Sequence, residues 1–456
     1  MKRFITTIKN IWKIKELRNR ILFTLLLLFV YRLGSFIVLP GAIPEVLQKA
    51  AGSAQGGNAQ DLLGLINSFT GGAFSNASIL ALGIMPYITA SIIVQLLGFA
   101  VPYFQRLQQR EGESGRRKLN QITRLLTVAI TLVQGGTYLL YVKNLDAVSP
   151  NISEGLFWIT NIIVLATGTV FSMWLGERIT DRGIGNGVSL LITAGIINRL
   201  PQSFIAESAK RSFGPVFIIE ILLLFVVIMA TILVVQGVRR IPIQFAKRMV
   251  GRGTGSIPAA GARDYIPLKL NSAGVMPIIF AQALMFLPFS VIQAVGQDST
   301  AATSSFMQSM TEFTSLPYNI VYFILIVLFT YVYTALLVNP QQYSEYLKRQ
   351  NAFIPGVKPG KPTEEFIDSV TTRITLPGSV FLGIIAIFPA VVAAFGVEPS
   401  FALFFGGTSL LILVGVMLDT LQQIESHLLM RRYDGLVKSG HIQGRSGKGI
   451  QIGANM

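Results

Sequence analysis

The stretch from Phe74 to Tyr103 limits what this chain can fold into more than any other part of the sequence. It reads FSNASILALGIMPYITASIIVQLLGFAVPY, an apolar run long enough to cross a hydrocarbon core of about 30 Å as a helix. Gly83 and Pro86 interrupt that helix, and a membrane tolerates such a break only where protein or trapped water satisfies the freed backbone groups. We therefore expect this segment to face a protein interior, with Ile84 and Ile88 sharing one helical face.

A short amphipathic piece, DLLGLINSF at 61–69, lies just before this broken span. It is too short to cross a membrane, so we interpret it as a re-entrant helix. A re-entrant helix followed by a broken span indicates a gated conduit.

The composition indicates a polytopic membrane protein. Of the 456 residues, 51% are hydrophobic and 13% are charged, whereas soluble domains contain about 25% charged residues. The apolar runs predict an all-α fold with ten transmembrane helices, at about 21–40, 74–98, 122–142, 153–175, 186–203, 215–237, 273–293, 318–338, 374–395 and 400–420.

Lysine and arginine are distributed unevenly between the spans. Most of the 38 basic residues lie in the two terminal tails and in every second connection. The positive-inside rule then predicts that these segments and both termini are cytoplasmic. Two of the cytoplasmic connections, Arg239–Leu270 and Asn339–Arg373, are longer and more basic than topology requires. We expect them to bind anionic lipid, ribosomal RNA or a soluble protein partner.

The residue types that are rare or missing limit the chemistry. The chain has no cysteine and only two histidines, His427 and His441, so we expect no disulfide, no metal site and no cofactor. Glu177, Glu220 and Asp419 lie near span ends, whereas ion-coupled transporters usually keep ionisable groups near the midplane. A passive conduit fits best, and a secondary transporter of a neutral small solute and an intramembrane enzyme are the alternatives.

Neutral polar residues at depth are few, and they are Thr89, Gln134 and Asn271. One interpretation is ordinary hydrogen bonding between neighbouring helices. The other is a polar seam between helices that must part.

Five motifs, in order along the chain, resemble those of the SecY/Sec61-alpha family. They are ALGIMPYITASIIVQLL (81–97), EGESGRRKLNQITR (111–124), GERITDRGIGNGVSL (176–190), PLKLNSAGVMP (267–277) and FGGTSLLI (405–412). Members of that family are the central channel subunits of the Sec protein translocase. The resemblance covers essentially the whole chain.

The resemblance implies ten spans in two pseudo-symmetric halves of five, with a short re-entrant plug helix at about 58–72. The halves would be 21–203 and 214–420, joined by an external connection at 204–213. Cytoplasmic tails at 1–20 and 421–456 would flank them. The implied function is to pass unfolded polypeptides across the bacterial plasma membrane and to release hydrophobic segments laterally into it, without enzymatic activity.

The resemblance also implies four sets of functional residues. A pore ring would consist of Ile84, Ile88, Val188, Ile192, Ile279 and Ile412. The plug would include Asp61, Leu62, Leu63, Leu65, Ile66 and Phe69. Thr89, Gln134 and Asn271 would form the polar cluster of a lateral gate. Docking of a motor or ribosome would use Arg239, Arg240, Lys247, Arg248, Arg252 and Lys358.

The implied partners are SecE and SecG, the SecA motor, the ribosome, polypeptides that carry signal sequences, and membrane lipid. One residue departs from the family pattern, because Lys358 stands where the family usually has arginine. Lysine keeps the charge there but lacks the planar fork that binds carboxylate or phosphate with two hydrogen bonds.

Overall fold

The structure is a computed structural model, and it is mostly helical. It describes residues 12, 14–52, 67, 70–109, 111–150, 152–211, 214–245, 249–250, 257–258, 263–282, 284–285, 309 and 314–438. The helices in this part are α1 (Lys15–Gly34), α2 (Pro44–Gly52), α3 (Met85–Ala100), α4 (Pro102–Gln109), α5 (Gly112–Asn144), α6 (Glu154–Arg182), α7 (Gly187–Arg211), α8 (Pro215–Gln236), α9 (Leu316–Leu337), α10 (Pro340–Arg349), α11 (Lys361–Ala394), α12 (Pro399–Ala402) and α13 (Gly407–Lys438). A further helical stretch occupies 276–282.

Proline and small polar residues fix where several of these helices begin. Pro215 and Pro340 each stand in the first turn of a helix, where the missing N–H would have no intrahelical partner. The side chains of Ser315 and Asn339 accept hydrogen bonds from backbone N–H groups of α9 and α10, respectively. Local sequence therefore sets the entry points of the long apolar helices.

Seven helices in the described part are long and apolar enough to cross a membrane. They are Gly112–Asn144, Glu154–Arg182, Gly187–Arg211, Pro215–Gln236, Leu316–Arg349, Lys361–Ala394 and Gly407–Leu428, and a shorter apolar helix occupies Met85–Gly98. Helix α1 covers residues 21–34 of the first predicted span, 21–40. The seventh predicted span, 273–293, lies partly outside the described residues. The polytopic helical fold is therefore confirmed, and the count of ten spans stays a prediction.

The predicted second span, 74–98, is only partly helical. Residues 70–84 form successive turns, and the helix begins at Met85 with Pro86 in its first turn. The non-helical residues pair with the chain that follows α1: Leu39 N donates to Ala77 O (2.7 Å) and Ile79 N donates to Ile37 O (2.9 Å). Protein backbone thus satisfies peptide groups at the break, as the sequence argument required.

The two long basic connections fold together around a small sheet that the all-α prediction did not include. Strands β1 (Val238–Phe245) and β4 (Arg263–Lys269) come from the first connection, and β5 (Ala352–Phe353) comes from the second. The order is β4-β1-β5, antiparallel, with Ile241 opposite Ile266 and Gln244 opposite Phe353. A second small sheet pairs β2 (Met249–Val250) with β3 (Ile257–Pro258).

This unit has its own apolar core, formed by Ile241, Ile243, Ile266, Leu268, Leu347, Ala352, Ile354, Ile367 and Ile374. The inward residues of β1 alternate with exposed ones, which is the pattern of a strand with one buried face. The two connections therefore present one folded surface instead of two separate loops.

The predicted external connection, 204–213, is largely helical, because α7 continues through Pro201 to Arg211. Its end carries a network of charges. Arg211 Nε donates to the fully buried carboxylate of Glu207 (3.2 Å), and Arg211 Nη2 lies 3.4 Å from Glu220 Oε1 on α8. The second Glu207 oxygen accepts from the backbone N of Glu398 (2.8 Å), and Lys210 pairs with the Glu398 side chain (3.0 Å). One guanidinium thus neutralises two buried carboxylates, one in the predicted external connection and one in the predicted C-terminal half.

We expect Arg211→Met to destabilise the fold because it leaves Glu207 and Glu220 buried without their common cation. Breaking a buried pair in this way costs about 3–5 kcal/mol. The measurement is the denaturation midpoint of the purified protein in detergent.

The matched control is Arg117→Met, because Arg117 pairs with Glu113 at 3.5 Å and both side chains are about three-quarters exposed. That variant should unfold like the original protein. Equal midpoints for the two variants would show that the buried network contributes nothing to stability.

Candidate pore and lateral gate

The six aliphatic residues predicted to form the ring meet in one apolar cluster. They come from the turn before α3, from α3, α7, the 276–282 helix and α13, and they are Ile84, Ile88, Val188, Ile192, Ile279 and Ile412. Ile84, Ile192 and Ile412 are 4%, 3% and 1% exposed, and Val188 and Ile279 are partly buried against the cluster. The structure therefore brings all six together in a packed arrangement.

Two glycines set how closely the helices around this cluster approach. A Cβ at Gly187 would lie 2.0 Å from the carbonyl oxygen of Gly176, so α6 and α7 can cross at this distance only with glycine there. A Cβ at Gly176 would lie 3.3 Å from Val188 Cγ2 and 3.4 Å from Ile84 Cδ1. The glycines of the motif at 176–190 thus determine the packing distance of two ring members.

The turn between α6 and α7 also ties distant helices to the cluster. Ile184 N donates to Thr24 Oγ1 on α1 (3.1 Å), and Gly185 N donates to Gln423 Oε1 on α13 (2.8 Å). Gly185 has a φ of +84°, a conformation that other residues rarely adopt. The turn therefore connects α1 and α13 by hydrogen bonds at one end of the cluster.

A cavity of about 280 Å³ lies beside the cluster. Its lining includes the ring member Ile279, the predicted gate residue Asn271, and the polar residues Asn186, Ser189, Lys269, Ser272, Asp419 and Thr420. Lys269 ends strand β4, so the cavity lies at the end of the ring nearest the sheet unit. A cavity with both polar and apolar lining therefore adjoins the apolar cluster that contains the predicted ring residues.

The three residues predicted for the lateral gate are all described, and they do not bond to one another. Two of them donate to backbone oxygens three or four residues away in their own segment. Thr89 Oγ1 donates to Met85 O of its own helix (3.1 Å), and Asn271 Nδ2 donates to Gly274 O (2.9 Å). Asn271 Oδ1 is buried and has no hydrogen-bond partner among the described residues. Gln134 is half-buried on α5. In the described part of the chain, no hydrogen bond joins any two of these three side chains, so their joint role stays a prediction.

Sequence reasoning missed a buried polar network behind the ring. Tyr322 Oη lies 3.2 Å from Thr408 Oγ1, which lies 3.3 Å from Gln282 Oε1. Gln282 follows Ile279 by one helical turn, and Thr408 precedes Ile412 by one turn, so the network links the helices that carry two ring members. Two features of the sequence could have indicated this network: Gln282 lies within an apolar run, and Thr408 follows two glycines.

The predicted plug residues Asp61, Leu62, Leu63, Leu65, Ile66 and Phe69 lie outside the described residues. The chain that follows them is anchored at Gly71, whose carbonyl oxygen accepts from Arg32 Nη1 (2.7 Å) and Asn198 Nδ2 (3.1 Å). A Cβ at Gly71 would lie 2.8 Å from Gly195 Cα, so the backbone passes directly against α7.

Three of the predicted docking residues are described, and all three are exposed. Arg239 and Arg240 lie on β1, with the Arg240 guanidinium 4.7 Å from the centre of the Tyr265 ring. Lys358 lies in the turn before α11. Lys247, Arg248 and Arg252 lie outside the described residues.

Long apolar helices packed around an aliphatic cluster define a polytopic membrane protein. The SecY family model matches residues 78–421. The chain belongs to the SecY family, as the motifs predicted. The protein translocase subunit SecY of Chlamydia trachomatis is 38% identical over 97% of this chain and 100% of its own length, and that of Halalkalibacterium halodurans is 41% identical over 95% and 99%.

Solved structures show the same fold at lower identity. A structure described as that of a protein conducting channel has a TM-score of 0.64 at 19% identity, covering 92% of this chain and 94% of that one. Sec61 in a canine ribosome-channel complex from the endoplasmic reticulum has a TM-score of 0.59 at 18% identity, with the same coverage. The predicted SecY/Sec61 fold class is therefore confirmed.

Proposed function

We propose that this chain is the central subunit of a channel that conducts unfolded polypeptides across the bacterial plasma membrane and releases hydrophobic segments laterally into it. The observation that carries the proposal is that all six predicted ring residues belong to one apolar cluster. Aliphatic side chains can close around an extended polypeptide of almost any sequence, and they bar ions when no chain is present. The similar translocase subunits support this function.

Lateral release follows from the weakness of polar contacts between helices. A signal segment gains about 0.8 kcal/mol for each CH₂ group that moves into lipid. A hydrogen bond between membrane helices contributes about 0.6 kcal/mol on average. A segment with several leucines therefore outweighs a seam built from a few neutral groups such as Thr89, Gln134 and Asn271, and a weakly apolar segment does not.

The channel subunit itself has no catalytic role in this proposal, so the driving force comes from partners. We infer that the SecA motor or the ribosome docks on the unit formed by the two basic connections. That unit exposes Arg239, Arg240 and Lys358, and it combines both predicted cytoplasmic connections in one surface. SecE and SecG are the proposed companion subunits.

The ring is tested by making it polar. We expect Ile84→Asn combined with Ile412→Asn to raise the resting conductance of the channel in planar bilayers several-fold, because polar side chains lower the barrier to wetting. Accumulation in the membrane is measured in parallel. The matched control is Ile326→Asn, which places the same buried change in a cluster that contains no ring residue.

The control should lower accumulation, as core truncations and buried polar groups do, without any added conductance. The ring assignment fails if the double variant loses accumulation and conducts no more than the original channel. In that case the six residues are ordinary core and the pore lies elsewhere.

The orientation of the chain is tested by cysteine labelling, since the sequence contains no cysteine. We propose that Ser114 is cytoplasmic and Asn144 is external, because they lie at opposite ends of the α5 span. A membrane-impermeant maleimide should label Asn144→Cys in intact cells and Ser114→Cys only after lysis. The reverse pattern would reject the proposed topology.

The docking surface is tested by charge reversal. Arg239→Glu with Arg240→Glu should weaken binding of SecA and of ribosomes several-fold and flatten the dependence of binding on salt. Arg117→Glu is the control, because Arg117 is also exposed and lies on a predicted cytoplasmic segment outside the sheet unit. Unchanged affinity of the double variant for both partners would leave these arginines as determinants of topology alone.

A further inference from the structure

A groove between α5 and α6 is not used by the pore, the gate or the docking surface. Its volume is about 730 Å³. It is lined by Gln121, Arg124, Leu125 and Val128 of α5 and by Val170, Met173, Trp174, Glu177, Arg178 and Asp181 of α6. On each helix these residues recur at intervals of three and four, so each helix contributes one continuous face.

The lining changes from apolar to polar along the groove. The two helices are antiparallel neighbours and Arg124 pairs with Glu177, so Val128 lies near the level of Met173 and Leu125 lies about one turn closer to the charged pair. The polar residues follow where the predicted spans end, near 122 and 175, which is the level of the lipid headgroups. The groove therefore has an apolar part inside the hydrocarbon core and a charged part at its boundary.

Tryptophan and arginine fix the boundary between these two parts. The Arg178 guanidinium lies 5.5 Å from the centre of the Trp174 ring, and Trp174 stacks on Phe171 with 6.0 Å between ring centroids. Trp174 is 44% exposed and Leu125 is 75% exposed. Large apolar residues thus line a concave surface that a flexible chain can fill, next to a positioned cation.

The charges of the groove do not all neutralise each other. Arg124 donates two hydrogen bonds to the Glu177 carboxylate, from Nη2 (2.7 Å) and from Nε (3.1 Å). Arg178 and Asp181 are one turn apart on α6, and neither forms a salt bridge with any residue in the described ranges. The groove therefore offers one cation and one carboxylate, side by side, to a ligand.

We propose that this groove binds one phospholipid with a zwitterionic phosphoethanolamine headgroup. Arg178 contacts the phosphate, Asp181 accepts from the primary ammonium, and an acyl chain covers Leu125, Val128 and the Trp174 ring. A headgroup with adjacent phosphate and ammonium complements both free charges. This proposal is independent of the function assigned to the ring.

Charge and hydrogen bonding separate this occupant from other phospholipids. An anionic phosphoglycerol headgroup satisfies Arg178 but brings a net negative charge beside Asp181 and Glu177. A phosphocholine headgroup has the same net charge as phosphoethanolamine but no N–H, so it offers Asp181 no hydrogen bond. The carboxylate at 181 is therefore the residue that selects the headgroup.

Native mass spectrometry of the purified channel complex tests the proposal with three defined lipids of the same acyl chains: phosphatidylethanolamine, phosphatidylglycerol and phosphatidylcholine. We expect phosphatidylethanolamine to be retained about tenfold better than either competitor, the size of one charged hydrogen bond. Arg178→Gln should lower retention of all three lipids. Asp181→Lys should reverse the preference toward phosphatidylglycerol, because the groove then offers two cations.

Arg182→Gln is the matched control, since Arg182 is an exposed arginine at the end of the same helix and does not line the groove. It should leave the lipid preference unchanged. Equal retention of the three lipids, or an unchanged preference in Asp181→Lys, overturns the proposal. So does a photocrosslinker at Leu125 that captures a partner subunit in place of lipid, because the groove is then a protein interface.

Discussion

The rest of the structure depends on how the chain satisfies its peptide groups where the second span is broken. Hydrocarbon offers no hydrogen bonds, so a non-helical stretch such as 70–84 is possible only inside protein. Its groups pair with residues 37–39, with Arg32 near the end of α1 and with Asn198 in the middle of α7. This requirement places the start of α3 at the centre of the helices, and with it Ile84 and Ile88. The position of these two predicted ring residues is thus a consequence of a backbone constraint, before any side chain is considered.

The helices around this centre are held by polar contacts at the periphery and by aliphatic contacts in the middle. The α6–α7 turn bonds to α1 and α13 at one end, and the Arg211 network joins α7, α8 and the segment at 396–398 at the other. Between them, the predicted ring residues, all isoleucine or valine, lie in one apolar cluster. Dispersion contacts are individually weak, about 0.1–0.2 kcal/mol per atom pair, and lack direction. The middle can therefore rearrange around a passing chain while the fixed ends preserve the fold.

Much of the fold could be predicted from the sequence, and the failures have physical causes. Long apolar runs located most spans because length and hydropathy suffice for that purpose. The start of α3 was placed too early because an apolar segment in turns has the same composition as an apolar helix. The sheet was missed because β5 has two residues and gains its stability from pairing with a strand more than a hundred residues away. Such pairing is a tertiary effect that overrides local propensity.

Some residues of the candidate site could also be predicted from the sequence, and others could not. Ile84 and Ile88 followed from helix geometry around Pro86, whereas the four other ring residues required resemblance, because an isoleucine facing a pore and one facing lipid look alike in sequence. The Gln282–Thr408–Tyr322 network and the groove residues Arg178 and Asp181 were not singled out, since each lies on a helix whose partner cannot be known beforehand.

Burial distinguishes the polar residues of the network from the charged residues of the groove. Gln282 and Thr408 are buried and bonded to each other, so they hold helices together. Asp181 is exposed beside Arg178, and within the described part of the chain neither of them forms a salt bridge, so the two charges favour a ligand over a contact within the fold.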